Sequence, residues 1–173
     1  MTSGKRGAAV GLAHVDEHGK AHMVDVTGKQ ITVRVAEARC LVRTTADLAL
    51  VASDPDTGMD LVESARVAGI MAAKHTASLI PLCHPIRIDG IEVDVEPGAD
   101  GVHIRAVVAI VDRTGVEIEA LTACTVAALV VIQPLLEVDD TASVEDLTVW
   151  HKSGGRSGTW DRGDDGHLWL GRR

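Results

Sequence analysis

Residues 86–111 read IRIDGIEVDVEPGADGVHIRAVVAIV, and this stretch decides the fold class. From Ile86 to Glu96 apolar and polar side chains alternate, the period of a half-buried strand, with Gly90 breaking the pattern as an expected bulge. Pro97-Gly-Ala-Asp-Gly101 supplies turn residues, and Val102 to Val111 answers as the antiparallel partner. Thr114-Gly-Val-Glu117-Ile-Glu119 then leads into an apolar helix expected to end near Gln133, where Pro134 stops or kinks it. A hairpin followed at once by a long apolar helix predicts a sheet with a helix laid across it.

The rest of the chain extends that picture. Ile31 to Val42 alternates as another strand, and Thr44-Thr-Ala-Asp47 offers a cap for a short helix to about Ala52. Ser53 to Met59 is turn-rich. Asp60 can cap a longer helix through about Thr76, with Leu61, Ser64, Ala65, Ala68 and Ala72 on one face. Leu79 to Pro85 holds two prolines and reads as a rigid loop. Ser143 to Trp150 reads as the last strand. The order predicts an α+β sandwich, a mainly antiparallel sheet with helices packed on one face. The expected organisation is a leader at 1–10, one domain at 11–158 and a Gly/Asp/Arg-rich tail at 159–173.

Composition narrows the function. At 173 residues one domain is expected, and Phe and Tyr are absent, so Val, Ile, Leu and Ala must build the core. With three Trp as the only aromatics, stacking on nucleobases is nearly excluded at this level. A net charge of −8 speaks against nucleic acid and anionic membranes as partners, since both require a basic face. Cys40, Cys83 and Cys124 show no CxxC spacing, which predicts reduced thiols and no metal site. The N-terminus lacks a signal-like stretch, and the longest apolar run, Val126 to Ile132, is too short to cross a bilayer. A cytoplasmic location is expected. The helix around Ala120 to Ile132 is apolar almost all round, which predicts burial on more than one side and a subunit interface.

Three segments carry candidate chemistry. Lys74, His75, Cys83 and His84 surround the stiff proline loop, where His84 either shuttles a proton or simply satisfies backbone groups. Glu117 and Glu119 are close enough for their pKa values to be driven apart, although acidic residues also favour a helix N-terminus for its dipole alone. Lys152-Ser-Gly-Gly-Arg156-Ser-Gly158 combines backbone amides, hydroxyls and two cations suited to a phosphate, or is the start of a tail. Lys29, Arg34 and Arg66 add positive charge or lie on a solvated surface.

Read together, five blocks resemble the MoaC family, the cyclic pyranopterin monophosphate synthases of molybdenum cofactor biosynthesis. They are His22-Met-Val-Asp-Val-Thr-Gly-Lys29, Ala65-Arg-Val-Ala-Gly-Ile-Met-Ala-Ala-Lys74, Leu79-Ile-Pro-Leu-Cys-His-Pro85, Thr114-Gly-Val-Glu-Ile-Glu-Ala-Leu-Thr-Ala123 and Lys152-Ser-Gly-Gly-Arg-Ser-Gly158. The resemblance spans residues 12 to 158. It implies a ferredoxin-like fold, a homo-oligomeric hexamer built from dimers, and active sites at dimer interfaces. It also implies a nucleotide substrate, a cyclised dihydro-GTP, rearranged with pyrophosphate release and without a redox cofactor. By the same resemblance His84, Lys74, Glu117 and Glu119 are the catalytic group. Asp25, Lys29, Arg66, Cys83, Lys152 and Arg156 lie near the substrate.

Three family positions differ. The lysine of a Lys-Gly-Asp stretch falls on Gly58, and an Asp-x-x-Lys turn after the apolar helix falls on Gln133 and Leu136. These departures imply altered or lost turnover. The alternative is a non-catalytic paralogue, a nucleotide-binding or structural partner that co-assembles with an intact family member, or an enzyme turned to specialised metabolism.

Overall fold

The computed structural model describes residues 13–16, 18–48 and 60–163. β1 (Thr32–Arg43) is followed by α1 (Leu61–Lys74), a single-turn α2 (Thr76–Leu79), β2 (Gly90–Gly98), β3 (Gly101–Asp112), α3 (Glu117–Leu135), β4 (Ser143–Ser153) and β5 (Trp160–Asp161). The five strands form one sheet in the order β2-β3-β1-β4-β5, with every ladder antiparallel. β1 and β2 therefore run parallel with β3 between them, the split β-α-β arrangement that defines a ferredoxin-like sandwich.

The period-2 pattern decides which face is covered. Ala36, Ala38, Cys40 and Val42 of β1 and Val102, Ile104, Ala106, Val108 and Ile110 of β3 are buried under the helices. The intervening residues line the other face, where Arg105 bridges Glu37 and Asp94, and Arg39 lies over the Trp150 ring. Among the described residues all helices sit on one face, as the alternation predicts. The core is aliphatic: Ile104, Ile110, Leu135, Val42 and Val108 are among its largest fully buried side chains.

α3 crosses β1, β3 and β4 and packs against α1. At Gly69 of α1 a Cβ would stand 3.0 Å from the Ala123 carbonyl oxygen, so the missing side chain sets how closely the two helices approach. Nine α3 side chains are buried, yet Ile118, Leu129 and Leu136 remain exposed along its outer surface. By length and composition the whole helix is long enough to cross a membrane, longer than its uninterrupted apolar run suggests. Here it is a core helix.

Several boundaries differ from expectation. α3 does not stop at Gln133 but continues through Pro134 to Leu135, because a proline in the last turn forfeits only one bond. The turn beyond is held by Leu136 N–H to the Ile132 carbonyl at 3.1 Å. β2 starts at Gly90, so Ile86 to Asp89 is an approach segment and Gly90 is not a bulge. α1 ends at Lys74, just short of the expected Thr76, and a separate α2 runs from Thr76 to Leu79, taking only Leu79 from the expected loop. β4 runs on to Ser153, its alternation disguised by two register shifts against β1 and by Asp146 at φ 53°. The expected tail is structured at its start, where Trp160 and Asp161 pair with Lys152 and His151. Most of the short helix expected before Ala52, and Gly58 with it, lies outside the described residues. At its start the Thr44 hydroxyl accepts from Ala46 N–H at 3.1 Å.

Candidate functional site

The entrance to α3, the start of β1 and the end of β4 meet at one edge of the sandwich. α3 begins with Glu117 and Glu119 in its first turn, behind Val116, which supplies no side-chain cap. Gly115 lets Glu117 fold back: a Cβ there would overlap the Glu117 carboxylate. Folded back, Glu117 Oε1 lies 3.3 Å from Lys152 Nζ. Lys152 reaches it because it pairs with Ala36 and so projects to the helix side of the sheet.

Beyond Lys152 the chain turns under β1. Gly154 and Gly155 adopt φ of 94° and 67°, a left-handed region that favours glycine, and Gly155 N–H donates to Thr32 Oγ1 at 3.2 Å. Arg34 Nε donates to the Asp112 carbonyl at 3.0 Å, which sets its guanidinium against Gly155. Arg113 Nε donates to the Lys29 carbonyl at 3.1 Å and pins the Gly28–Gln30 loop alongside. The outcome is a cleft of 360 Å³ lined by Lys29, Arg34, Arg156 and Ser157. It adjoins a smaller one of 90 Å³ lined by Arg34, Glu117, Lys152 and Gly154. Four cations and a run of glycine amides face a space of this size. Such an arrangement suits an oligophosphate.

A second group borders the first. Glu119 is 4% exposed, and burial pushes its carboxyl above the usual range, with repulsion from Glu117 adding to the effect. Cys83 is raised by burial and by the nearby Glu119 charge. His84 Nε2 lies 2.9 Å from the Val24 carbonyl oxygen. Next to it Asp25 accepts from Thr27 N–H and Oγ1 at 2.9 and 2.8 Å, and these bonds, with Lys29 nearby, lower its pKa. Leu82 takes φ 68°, so a strained turn between two prolines presents Cys83 and His84 to this band.

The residues singled out from the sequence thus separate into groups. Lys29, Glu117, Lys152 and Arg156 meet around the cleft, and Glu119, Cys83, His84 and Asp25 continue from it. Arg66 does not join them: its Nε donates to the Val93 carbonyl at 3.1 Å, tying α1 to the edge of β2, and its guanidinium also pairs with Glu63. Lys74 is exposed at the end of α1 and, among the described residues, pairs with neither Glu117 nor Glu119. Gln133 and Leu136 stand exposed at the far end of α3, about 24 and about 28 Å from its start at 1.5 Å per residue. Among the described residues no three His, Cys, Asp or Glu side chains cluster as metal ligands. Gly115 and the conformations of Gly154 and Gly155 escaped sequence reading. The Lys152–Gly158 run was the signal for Gly154 and Gly155, and the Thr114–Ala123 block held Gly115.

Fold and site together define a ferredoxin-like α+β protein with a cationic cleft beside a buried carboxylate. The MoaC family profile matches residues 23–155, and the chain belongs to the MoaC family. It is 52% identical over 156 residues to a cyclic pyranopterin monophosphate synthase of Nocardioides sp., covering 87% of this chain and 95% of the relative. Cyclic pyranopterin monophosphate synthase 2 of Mycobacterium tuberculosis is 49% identical over 152 residues, 87% of this chain and 91% of its own. A cyclic pyranopterin monophosphate synthase of Streptomyces avermitilis is 46% identical over 170 residues, covering 94% and 99%.

Proposed function

We propose that this chain binds a purine-derived nucleoside triphosphate, a cyclised dihydro-GTP, as a cytoplasmic protein of molybdenum cofactor biosynthesis. The observation that carries this reading is the convergence of Lys29, Arg34, Lys152 and Arg156 on two adjoining glycine-lined clefts that share Arg34, in an acidic molecule. The triphosphate occupies that cleft, and Glu117 and Glu119 face the ring. A carboxyl whose pKa is raised by burial keeps a proton at higher pH than usual, which suits Glu119 to donating a hydrogen bond or a proton. The names of the relatives make formation of cyclic pyranopterin monophosphate the reaction to test, and the family resemblance implies that pyrophosphate leaves.

Turnover is slow or redirected in this reading, because Gly58, Gln133 and Leu136 occupy positions where the family pattern has charged groups. Neither an amide nor an aliphatic side chain exchanges a proton near neutral pH. Any site that unites both ends of α3 must be shared by two copies, since one helix holds them about 28 Å apart. The exposed Ile118, Leu129 and Leu136 give a second copy an apolar surface to cover, in keeping with a hexamer built from dimers. Leu136 also favours a second reading. A chain that binds nucleotide but lacks these groups serves as partner to an intact family member.

The test is to incubate the purified protein with cyclised dihydro-GTP beside the Nocardioides synthase, quantifying pyrophosphate and product by mass spectrometry. Binding weakened by Lys152→Ala, with turnover at least about a hundredfold below the relative, is the expected result. A wild-type protein that binds no such nucleotide overturns the proposal. Mixed oligomers on co-expression support the partner reading, and product at the relative's rate refutes impaired turnover.

A further inference from the structure

Trp160 lies in the stretch that composition assigns to a tail, yet it is built into the hairpin that carries the cleft. β5 returns antiparallel to β4 so that Trp160 pairs with Lys152 and Asp161 with His151. Directly opposed residues in an antiparallel pair project to the same face, with Cβ atoms about 5 Å apart. The indole therefore rises on the side of the sheet where Lys152 meets Glu117. It stands at the base of the loop whose tip, Gly155 to Ser157, lines the larger cleft.

The ring is held in place and still accessible. Arg162 Cζ lies 5.7 Å from the Trp160 ring centroid, and Arg162 itself is fixed by two backbone contacts. Its Nε donates to the Val149 carbonyl at 3.1 Å, and its N–H donates to the Trp150 carbonyl at 2.8 Å. Packing against a fixed guanidinium restrains the indole, and 42% of Trp160 remains exposed. A large aromatic is normally buried when its only role is packing. An exposed, restrained aromatic beside a phosphate-sized cationic cleft is how proteins hold a planar heterocycle by its face.

Resting on the nucleotide reading above, we propose that Trp160 is a binding residue that stacks on the planar ring of the nucleotide whose phosphates lie among Arg34, Lys152 and Arg156. Arg162 is its positioning residue. One hairpin then reads both ends of the ligand, the anion through Lys152 and the tip and the ring through Trp160. On this proposal ring stacking, which the scarcity of aromatics nearly excludes, takes part in recognition.

The experiment compares GTP with inorganic tripolyphosphate by calorimetry on wild type, Trp160→Ala and Trp160→Phe. Thermal unfolding of each variant is recorded alongside. Wild type is expected to bind GTP more tightly than tripolyphosphate. Trp160→Ala is expected to lose about tenfold to a hundredfold in GTP affinity, with tripolyphosphate affinity unchanged. Trp160→Phe restores most of the GTP affinity. GTP is expected to quench wild-type tryptophan fluorescence, with less quenching in Trp160→Phe, where Trp150 and Trp169 are the remaining fluorophores.

Equal wild-type affinity for the two probes overturns the stacking role and leaves the cationic cleft standing. A parallel loss of both probes in Trp160→Ala assigns the residue to hairpin structure and also overturns it. Failure of wild type to bind either probe overturns the nucleotide reading and the stacking role together.

Discussion

Three glycines in one loop make a graded test of how the cleft is built. Gly154, Gly155 and Gly158 all have positive φ, at 94°, 67° and 67°, but an added Cβ meets something different at each. At Gly158 it meets nothing within 4 Å, so alanine incurs only the left-handed conformation, about 1 kcal/mol. At Gly155 it overlaps the Arg34 guanidinium, the movable end of a side chain. Displacing that group endangers the Arg34 bond to the Asp112 carbonyl, adding about 1 kcal/mol. At Gly154 it overlaps the Val33 carbonyl oxygen and lies 3.2 Å from Arg34 Cα. Backbone must move there, and overpacking of about 1–3 kcal/mol joins the conformational cost.

The expected order of destabilisation is therefore about 1, about 2 and about 2–4 kcal/mol for Gly158→Ala, Gly155→Ala and Gly154→Ala. In a chain of this size each kcal/mol lowers Tm by about 2–4 °C. Urea unfolding of the three variants gives the energies, and calorimetry with inorganic pyrophosphate gives the binding. Gly155→Ala is expected to lose more affinity for its stability cost than either neighbour, because Arg34 is what it displaces. A Gly154→Ala variant no less stable than Gly158→Ala refutes the argument, since the loop would then be free to move off β1.

Three further outcomes follow from the same geometry. Gly115→Ala should change stability by less than about 1 kcal/mol, because only the exposed-side Glu117 carboxylate must move, while weakening pyrophosphate-dependent stabilisation through Lys152. A large fall in Tm without a ligand effect would show that Gly115 serves the fold alone. Asp139 accepts from Thr44, from Thr45 N–H and Oγ1, and from Thr141 N–H and Oγ1, and these bonds, led by Thr141, hold its carboxyl well below the usual range. Its contribution is present above the unfolded pKa of about 3.9 and lost as pH falls toward the folded value, so Asp139→Asn should lower Tm at pH 7 and progressively less in acid. A deficit independent of pH counts against the carboxylate. Glu119 is displaced upward by burial, so its ionisation costs stability as pH rises from about 4.3 through the folded value. Glu119→Gln should thus gain on wild type in urea between pH 4 and pH 8; a gap that stays flat or closes would refute the assignment.

Both hairpin strands, the buried face of β1 and the long apolar helix were legible because each rests on short-range periodicity. Asp60 was legible as a cap, and its carboxylate does accept from Val62 N–H at 2.9 Å. The start of β2 was misread because Ile86 to Asp89 alternates like a strand, whereas pairing with β3 begins only at Gly90. The end of β4 is not legible, because its register shifts break the alternation.

By itself the sequence determined the α+β order, the aliphatic core and the presence of cations in the Lys152–Gly158 run. Tertiary structure alone decided which cations act together. Lys29, Arg34, Lys152 and Arg156 come from a loop, two strands and a turn, and they converge because β1 pairs with β4 beneath the start of α3. Packing of α1 against β2 sent Arg66 to the β2 edge, and the β4–β5 pairing set Trp160 beside Lys152. Periodicity reports which face of an element is buried, and a site made from several elements depends on contacts between residues far apart in the chain.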